Sequence, residues 1–596
     1  MSARVCSALV AFWLAGCGPL ESSWTAPRGN SVSAAEHHRT AEVTGGTLIS
    51  AGGGRFAVVT DADLDRVWVV DLAQGSIRNK VQLPSGSAPG RLVEDAHGAV
   101  WVALRGTGQL AKVSPSSGTV GATIDVCPEP RGLSLASNGD VLVACSSGEF
   151  ARVSTAGVAV QQVGLELRDV LETPAGLTGV TFRTAQVVSL GSDGAVTRTV
   201  APPTVGLPPA QGVQAAMVPK VAWRAVAAPG GRVVIAHQRH VEGPIAAIQL
   251  PAAPPSPAYY GNTCSSAVVR SALTVIGADG VAGSIELGGA LPVDLAISPD
   301  GEQVAVAIAG TGAVAVLPLS SVAGVSGGVC GARNPFPFRG DDALVDAVAY
   351  TPQGRLLVHS REPNRVEILP PSGSGEAPTR ILLNEATPKD PGALLFHTAP
   401  SGSSSGVPIA CASCHPEARE DGHAWTFFST PMRTQTVAGD VTATAPFHWK
   451  GTLNTLDALL GDTFVTRMGR EHPDAATVKA LSEWLARIPE PRVARADDAL
   501  VARGDVLFHQ AEVGCAGCHS GQSLTNNQTL DVGTGGSFQV PSLRGVAGRG
   551  PWMHDGCATT LRERFTRTDC GGTAHGNVDG LGPGDLDALL AYLTTL

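Results

Sequence analysis

A single pattern recurs along the first 385 residues and restricts the fold more than any other feature. Each copy has a glycine-containing turn, an alternating apolar strand, a polar turn and a second apolar strand. The copies read "GGRFAVVTDADLDRVWVVDL" from Gly53, "HGAVWVALRGTGQLAKVSPSSG" from His97 and "NGDVLVACSSGEFARVSTAG" from Asn138. They continue as "AGLTGVTFRTAQVVSLGSDG" from Ala175, "GGRVVIAHQ" from Gly230, "DGEQVAVAIAGTGAVAVLPL" from Asp300 and "QGRLLVHSREPNRVEILPPSG" from Gln353. Short strands between Gly, Asp and Asn turns, at a spacing of about 40 residues, are the signature of propeller blades. Seven copies predict seven blades over residues 46–385, stretched by inserts near 205–220 and 251–275. A β-sandwich would not explain the period. Gly at 72 and Pro at 42 fit the many turns.

The repeat resembles the YVTN and NHL-type β-propellers. A propeller is a general scaffold, so its fold alone implies no activity. His237 and His240 form an H-x-x-H after a strand. They read as core or surface histidines, with a metal pair as the alternative. With 596 residues the chain exceeds one hydrophobic core, so further domains are expected. A net charge of -10 and the lack of a long basic run exclude nucleic acid as a partner on electrostatic grounds.

The last third carries different chemistry. "CASCH" runs from Cys411 to His415 and "CAGCH" from Cys515 to His519. A C-x-x-C pair can bind zinc, cycle as a redox pair or form thioethers with haem, and the adjoining histidine selects the last. Two sulfurs hold the haem vinyl groups, and the next residue supplies the axial nitrogen. Zinc would need further Cys or His at finger-like spacing, which is absent. The cofactor implied is two covalently bound haem c groups. The surroundings repeat as well. "GALLFHTAP" precedes the first motif and "GDVLFHQAE" the second; "TAPFHWKGTLNTL" matches "RGPWMHDGCATTL"; "VKALSEWLARI" matches "LDALLAYLTTL". Residues 390–490 and 500–596 therefore read as two cytochrome c units, an all-α dihaem region after the all-β propeller.

On these motifs, their order and the stretch "VPSLRGVAGRGPWMHDG" from Val540, residues 390–596 resemble the bacterial dihaem cytochrome c peroxidases and MauG-type enzymes. The resemblance implies one haem for electron transfer and one reacting with hydrogen peroxide, with a small redox protein as electron donor. Sixth ligands separate enzyme from carrier. The chain has five Met. For the first haem the candidates are Met468, in a Met-Gly step, His448 and His423. For the second, either Met553 binds the iron or the face is open and His554 acts as acid–base group; His575 is a further candidate. The Met-Gly feature sits in the N-terminal half, where the peroxidase pattern has it in the C-terminal half. Arg433 and Arg544 are placed to pair with haem propionates, with a solvated surface as the other reading for Arg433. Trp425, Trp449 and Trp552 are expected against haem edges.

The N-terminus points to export. Arg4 precedes the apolar run "VCSALVAFWLAGC", which is too short to span a bilayer and closes on Leu14-Ala15-Gly16-Cys17. It resembles a bacterial lipobox, which implies a signal over 1–17, a lipid on Cys17 as membrane anchor, a tether over 18–45, and a periplasmic or cell-envelope location. Of the 12 cysteines, Cys6 leaves with the signal, Cys17 takes the lipid and four serve the motifs. The remaining six pair in chain order as 127–145, 264–330 and 557–570, as expected in an oxidising compartment.

Overall fold

The computed structural model describes residues 41–207, 215–245, 267–325, 330–332, 336–337, 343–371, 374, 376–383, 390–399, 409–427, 430–494 and 496–596. The lipobox, most of the tether and Cys264, hence the 264–330 pairing, lie outside the described residues. Residues 41–45, given to the tether from sequence, are packed: Val43 is fully buried and its amide donates to His397 Nε2 at 3.3 Å.

The repeats fold into antiparallel sheets in chain order. The first sheet is Leu48–Ala51, Phe56–Asp61, Arg66–Asp71 and Ser76–Gln82. Six more sheets follow, opening on Pro89–Glu94, Pro130–Leu135, Leu167–Thr173, the edge strand Val205–Gly206 beside Ala216–Ala228, Pro292–Ile297 and Leu344–Tyr350. Sheets with one buried strand set against each neighbour need partners on both faces. They find them in a ring. Leu48, Val59 and Trp68 of the first sheet pack on Leu357, Val366 and Ile381 of the last. The opening strands touch in succession, and Leu344–Tyr350 touches Leu48–Ala51. The fold is a β-propeller, closed by face packing, because every strand of the first and last sheets comes from its own repeat.

The ring also closes through ions. Arg361 binds Asp63 at 2.6 Å, and Asn364 donates to Asp61 at 2.8 Å. Cys127 and Cys145 form a disulfide inside the core between the second and third sheets. Replacing both by alanine is expected to cost about 2–4 kcal/mol. Denaturant unfolding of the variant, with and without reductant, measures it.

The fifth sheet is unusual. Ala216–Ala228 and Arg232–Glu242 run well past their neighbours toward the C-terminal region. The next strand, Pro244–Ile245, pairs in parallel with Ala424–Phe427 of that region. Propeller and C-terminal region belong to one compact unit, 39–596.

The C-terminal region departs from the all-α expectation. Its helices include Pro391–His397, Cys411–Cys414, Ala475–Leu485, Asp498–His509, Leu561–Thr566 and Pro583–Leu593. Between them lie two hairpins, Ala424–Phe427 with Thr430–Arg433 and Thr529–Asp531 with Ser537–Gln539. These segments are rich in Thr and aromatics and lack helical spacing, so strand pairing satisfies their backbone.

Candidate functional site

The two C-x-x-C-H motifs sit in copies of one arrangement. Asp390 caps the helix leading to the first and Asp497 the helix leading to the second, each accepting two backbone N–H donors. Each leading helix crosses a closing helix at a glycine. A Cβ on Gly392 would stand 2.4 Å from the Ala480 carbonyl oxygen, and one on Gly504 would stand 2.0 Å from that of Ala588. The backbones approach so closely that no other residue fits. One turn on, Phe396 meets Trp484 at 4.6 Å and Phe508 meets Tyr592 at 5.2 Å. The following loops match too. Phe447 bridges Leu453 where Trp552 bridges Ala558, and His448 and Met553 share a left-handed backbone. Thr455 and Thr560 then cap the next helices. The internal repeat seen in sequence is thus a repeat of structure.

Cys411, Cys414, Cys515 and Cys518 are all free thiols. Burial pushes Cys411 up to about 11, Cys414 well above the ordinary thiol value, and Cys515 upward. A redox C-x-x-C needs the opposite shift. Burial also lowers His415 and His519 to about 4, so both imidazoles are neutral at pH 7, the form that binds metal. The buried His415 Nδ1 has no protein partner. Among the described residues no group of three or more metal-ligating side chains converges, as zinc would require. Paired thiols followed by a neutral histidine fit a covalently attached haem in each unit.

The candidate sixth ligands separate by geometry. Met468 is buried in the apolar cluster that holds Phe464 and Trp484 and packs against Cys411 and Cys414. His448 faces Thr463 at 3.3 Å and Asp462 at 3.8 Å. His423 faces the Val241 carbonyl of the propeller at 3.0 Å. In the second unit Met553 keeps the place of His448, and its carbonyl accepts from Arg433 at 3.2 Å. His575 lies near His519, with ring centres 6.2 Å apart.

His554 occupies the seam between the units. It stacks on Phe538 at 3.9 Å and meets Trp449 edge-on at 6.3 Å. Arg433 is buried, which rules out the solvated surface reading. Its guanidinium donates to the Met553 and Arg549 carbonyls, so it pins the loop that carries His554. Arg544 is half-buried; its Nε donates to the Gln522 carbonyl at 3.2 Å and Nη1 lies 3.5 Å from Glu490. Trp425 stacks on His240 at 5.1 Å, at the propeller junction. His240 is fully buried there, 3.4 Å from Asp421, whereas His237 bonds Thr274 and the Gln238 carbonyl, so the two form no metal pair.

The residues missed from sequence follow the first motif directly. Glu417, two positions after His415, is buried among arginines of three propeller sheets. Arg105 stands 2.9 Å away, Arg131 3.3 Å and Arg168 2.6 Å. Glu420 pairs with Arg549 of the second unit at 3.0 Å. Arg183 of the propeller donates to the Glu420 and Gly548 carbonyls, touching both units. The propeller interior beyond is filled with ion pairs: Arg91 with Asp169 at 2.5 Å, and Arg224 with Asp169 and Asp294. A cavity of about 460 Å³ opens at the junction, lined by Arg131, Arg183, Lys220, Arg419 and Trp552 among others, with neither motif in its wall.

No family model and no curated protein matches the chain. Similar solved structures include a Kuenenia stuttgartiensis hydrazine synthase chain, at 15% identity and a TM-score of 0.41 over 58% of this chain and 99% of that one. A second hydrazine synthase chain, from xenon-pressurised crystals, gives 22% identity and 0.31 over 34% and 86%. Virginiamycin B lyase from Staphylococcus aureus gives 11% and 0.37 over 54% and 93%. Likenesses at this level assign no role.

Proposed function

We propose that this chain is an exported dihaem c-type cytochrome, an oxidoreductase of the cytochrome c peroxidase type held on a seven-bladed propeller. The observation that carries the reading is the doubled arrangement of leading helix, C-x-x-C-H, capped helix and closing helix, with free thiols in both copies. Cys411 and Cys414, then Cys515 and Cys518, would hold the two haems as thioethers. His415 and His519 would be the axial ligands, and Met468 the ligand opposite His415. Bound haem supplies one-electron chemistry and, where a sixth position opens, a site for peroxide. His554 is buried at the seam with an unpartnered Nδ1, and burial shifts its imidazole toward the neutral form. A neutral imidazole can accept a peroxide proton and return it. Arg433 holds its loop in place, and Arg544 lies half-buried near the second motif for a propionate. The electron donor would be a small redox protein. A lipid on Cys17 would keep the protein in the periplasm or cell envelope.

The test is stopped-flow absorbance of the reduced holo-protein mixed with hydrogen peroxide, with turnover using a reduced cytochrome c. Rapid haem oxidation is expected, with turnover falling at least about 100-fold in His554→Ala. Sluggish oxidation without turnover would leave the alternative, a non-catalytic electron carrier whose propeller docks its partner. The proximity of His575 to His519 favours that alternative.

A further inference from the structure

The junction cavity of about 460 Å³ is a space that the C-x-x-C-H motifs do not use. Its walls come from the propeller, from Arg419, Asp421 and Gly422 of the first unit, and from Gly548, Pro551 and Trp552 of the second. No residue of either motif lines it, so the groups that would hold haem lie outside it. Its volume is that of a small-molecule site. The walls meet closely. A Cβ on Gly422 would stand 2.7 Å from Arg183 Cδ of the propeller and 3.1 Å from Pro551 Cδ of the second unit.

The wall is positive although the chain has a net charge of -10. Five cationic side chains line it against three acids. The acids are already committed. Glu166 is shared by Arg131 at 2.5 Å and Arg183 at 2.6 Å, and Glu129 pairs with Arg105 at 2.7 Å. Asp421 accepts from the His423 amide at 2.8 Å and lies 3.4 Å from His240 Nδ1. Two of the cations have no such partner. Arg419 is buried; it donates Nη1 to the Pro489 carbonyl at 2.8 Å, and its Nε has no partner. Lys220, on the long strand Ala216–Ala228, has neither a hydrogen bond nor an ion pair among the described residues. Charges sheltered from water and lacking a counter-ion are costly until an anion joins them.

Much of the remaining wall is apolar. Leu165, Pro491, Val493 and Pro551 contribute to it. Trp552 adds its indole, whose Nε1 is already donated to the Val546 carbonyl at 2.9 Å. A bare inorganic anion would satisfy Lys220 and Arg419 and leave these surfaces unfilled. A neutral apolar molecule would fill them and leave both charges unpaired. A ligand that carries a carboxylate on an apolar body does both, which is how small-molecule sites divide their walls.

We propose that the junction cavity is a binding site for a small organic carboxylate, with its anionic group held by Lys220 and Arg419 and its apolar body against Trp552 and its neighbours. The ligand touches the propeller and both C-terminal units at once, so binding ties the three together. Anything bound only by the folded arrangement stabilises it. The site is separate from the peroxide chemistry and does not depend on the dihaem reading.

The test is isothermal titration of the full-length protein with three probes: benzoate, benzamide and inorganic phosphate. Benzoate is expected to bind one per chain and to raise the midpoint of thermal unfolding. Benzamide, which has the same body without the charge, should bind at least about 10-fold more weakly, the worth of a charge-assisted hydrogen bond. Lys220→Gln should weaken benzoate by at least about 10-fold as well. Lys220 holds no other group, so this variant is expected to fold as the parent does, and circular dichroism checks it. Arg419→Gln should act the same way; if loss of the Pro489 contact unfolds it, Lys220→Gln still decides. Equal binding of benzamide and benzoate, no benzoate binding at millimolar concentration, or benzoate binding that Lys220→Gln leaves unchanged would overturn the proposal. Phosphate that binds more tightly than benzoate and displaces it would also overturn it, because the apolar wall would then contribute nothing.

Discussion

Replacing Glu417 by alanine is expected to destabilise the protein by about 3–5 kcal/mol, the cost of breaking a buried ion pair from one side. Arg105, Arg131 and Arg168 all turn on this carboxylate, and all four side chains are buried. Removing it leaves guanidinium charge without water or its shared counter-ion. Urea unfolding followed by circular dichroism measures the loss. Glu376, which is exposed, is the control, and its alanine variant should stay within about 0.5 kcal/mol of the parent. The same cluster sets an acid limit. Burial alone would raise the Glu417 and Glu129 carboxyls. For Glu417, Arg105, Arg168 and Arg131 outweigh it and hold the group well below the ordinary carboxylate range. For Glu129, Arg105 and Arg131 bring it down to about 2. A depressed folded-state value means stability that is present above the unfolded value of 4.5 and lost as pH falls toward 2. Glu417→Gln should therefore flatten the acid limb between pH 4.5 and 2. An unchanged limb would show that the cluster does not couple the propeller to the C-terminal half.

Gly504→Ala is expected to cost about 3 kcal/mol and to loosen the second unit selectively. The added Cβ would stand 2.0 Å from the Ala588 carbonyl oxygen and 2.7 Å from the Tyr592 Cβ. Neither can yield without moving the helix Pro583–Leu593 off Asp498–His509. Limited proteolysis should cut first within 498–596. Gly392→Ala should mirror this in the first unit, with its contact at 2.4 Å. If the proteolysis pattern of either variant matches the parent, the helix crossing does not organise its unit.

Much of this was legible in the chain because it is periodic or local. The spacing of Gly-turn and strand exposed the propeller, since each blade repeats the same short-range pairing. C-x-x-C-H is contiguous, and its two settings could be laid side by side, down to the match of His448 with Met553. Pairing in chain order anticipated Cys127–Cys145 and Cys557–Cys570. Two short hairpins within 390–596 were not anticipated, because their strands are only three or four residues long. Arg433 kept a surface reading as its alternative, because nothing nearby in sequence announces that Met553 and Arg549 will cover it.

The chain alone shows the repeated blades, the doubled C-x-x-C-H units and the thiols and histidines that mark each one. Only the tertiary structure decided how the halves meet. Glu417 reaches Arg105 across 312 positions and Arg168 across 249, distances over which no pattern carries. The run "PEARED" after the first motif was the available signal, but a charged run read alone is a solvated face. Its burial follows from ring closure, which brings arginines of three successive sheets to one point, and from the long strands of the fifth sheet, which bring His240 and Val241 to Asp421 and His423. The 6.2 Å between the ring centres of His519 and His575 has the same origin, since it depends on how one loop folds back.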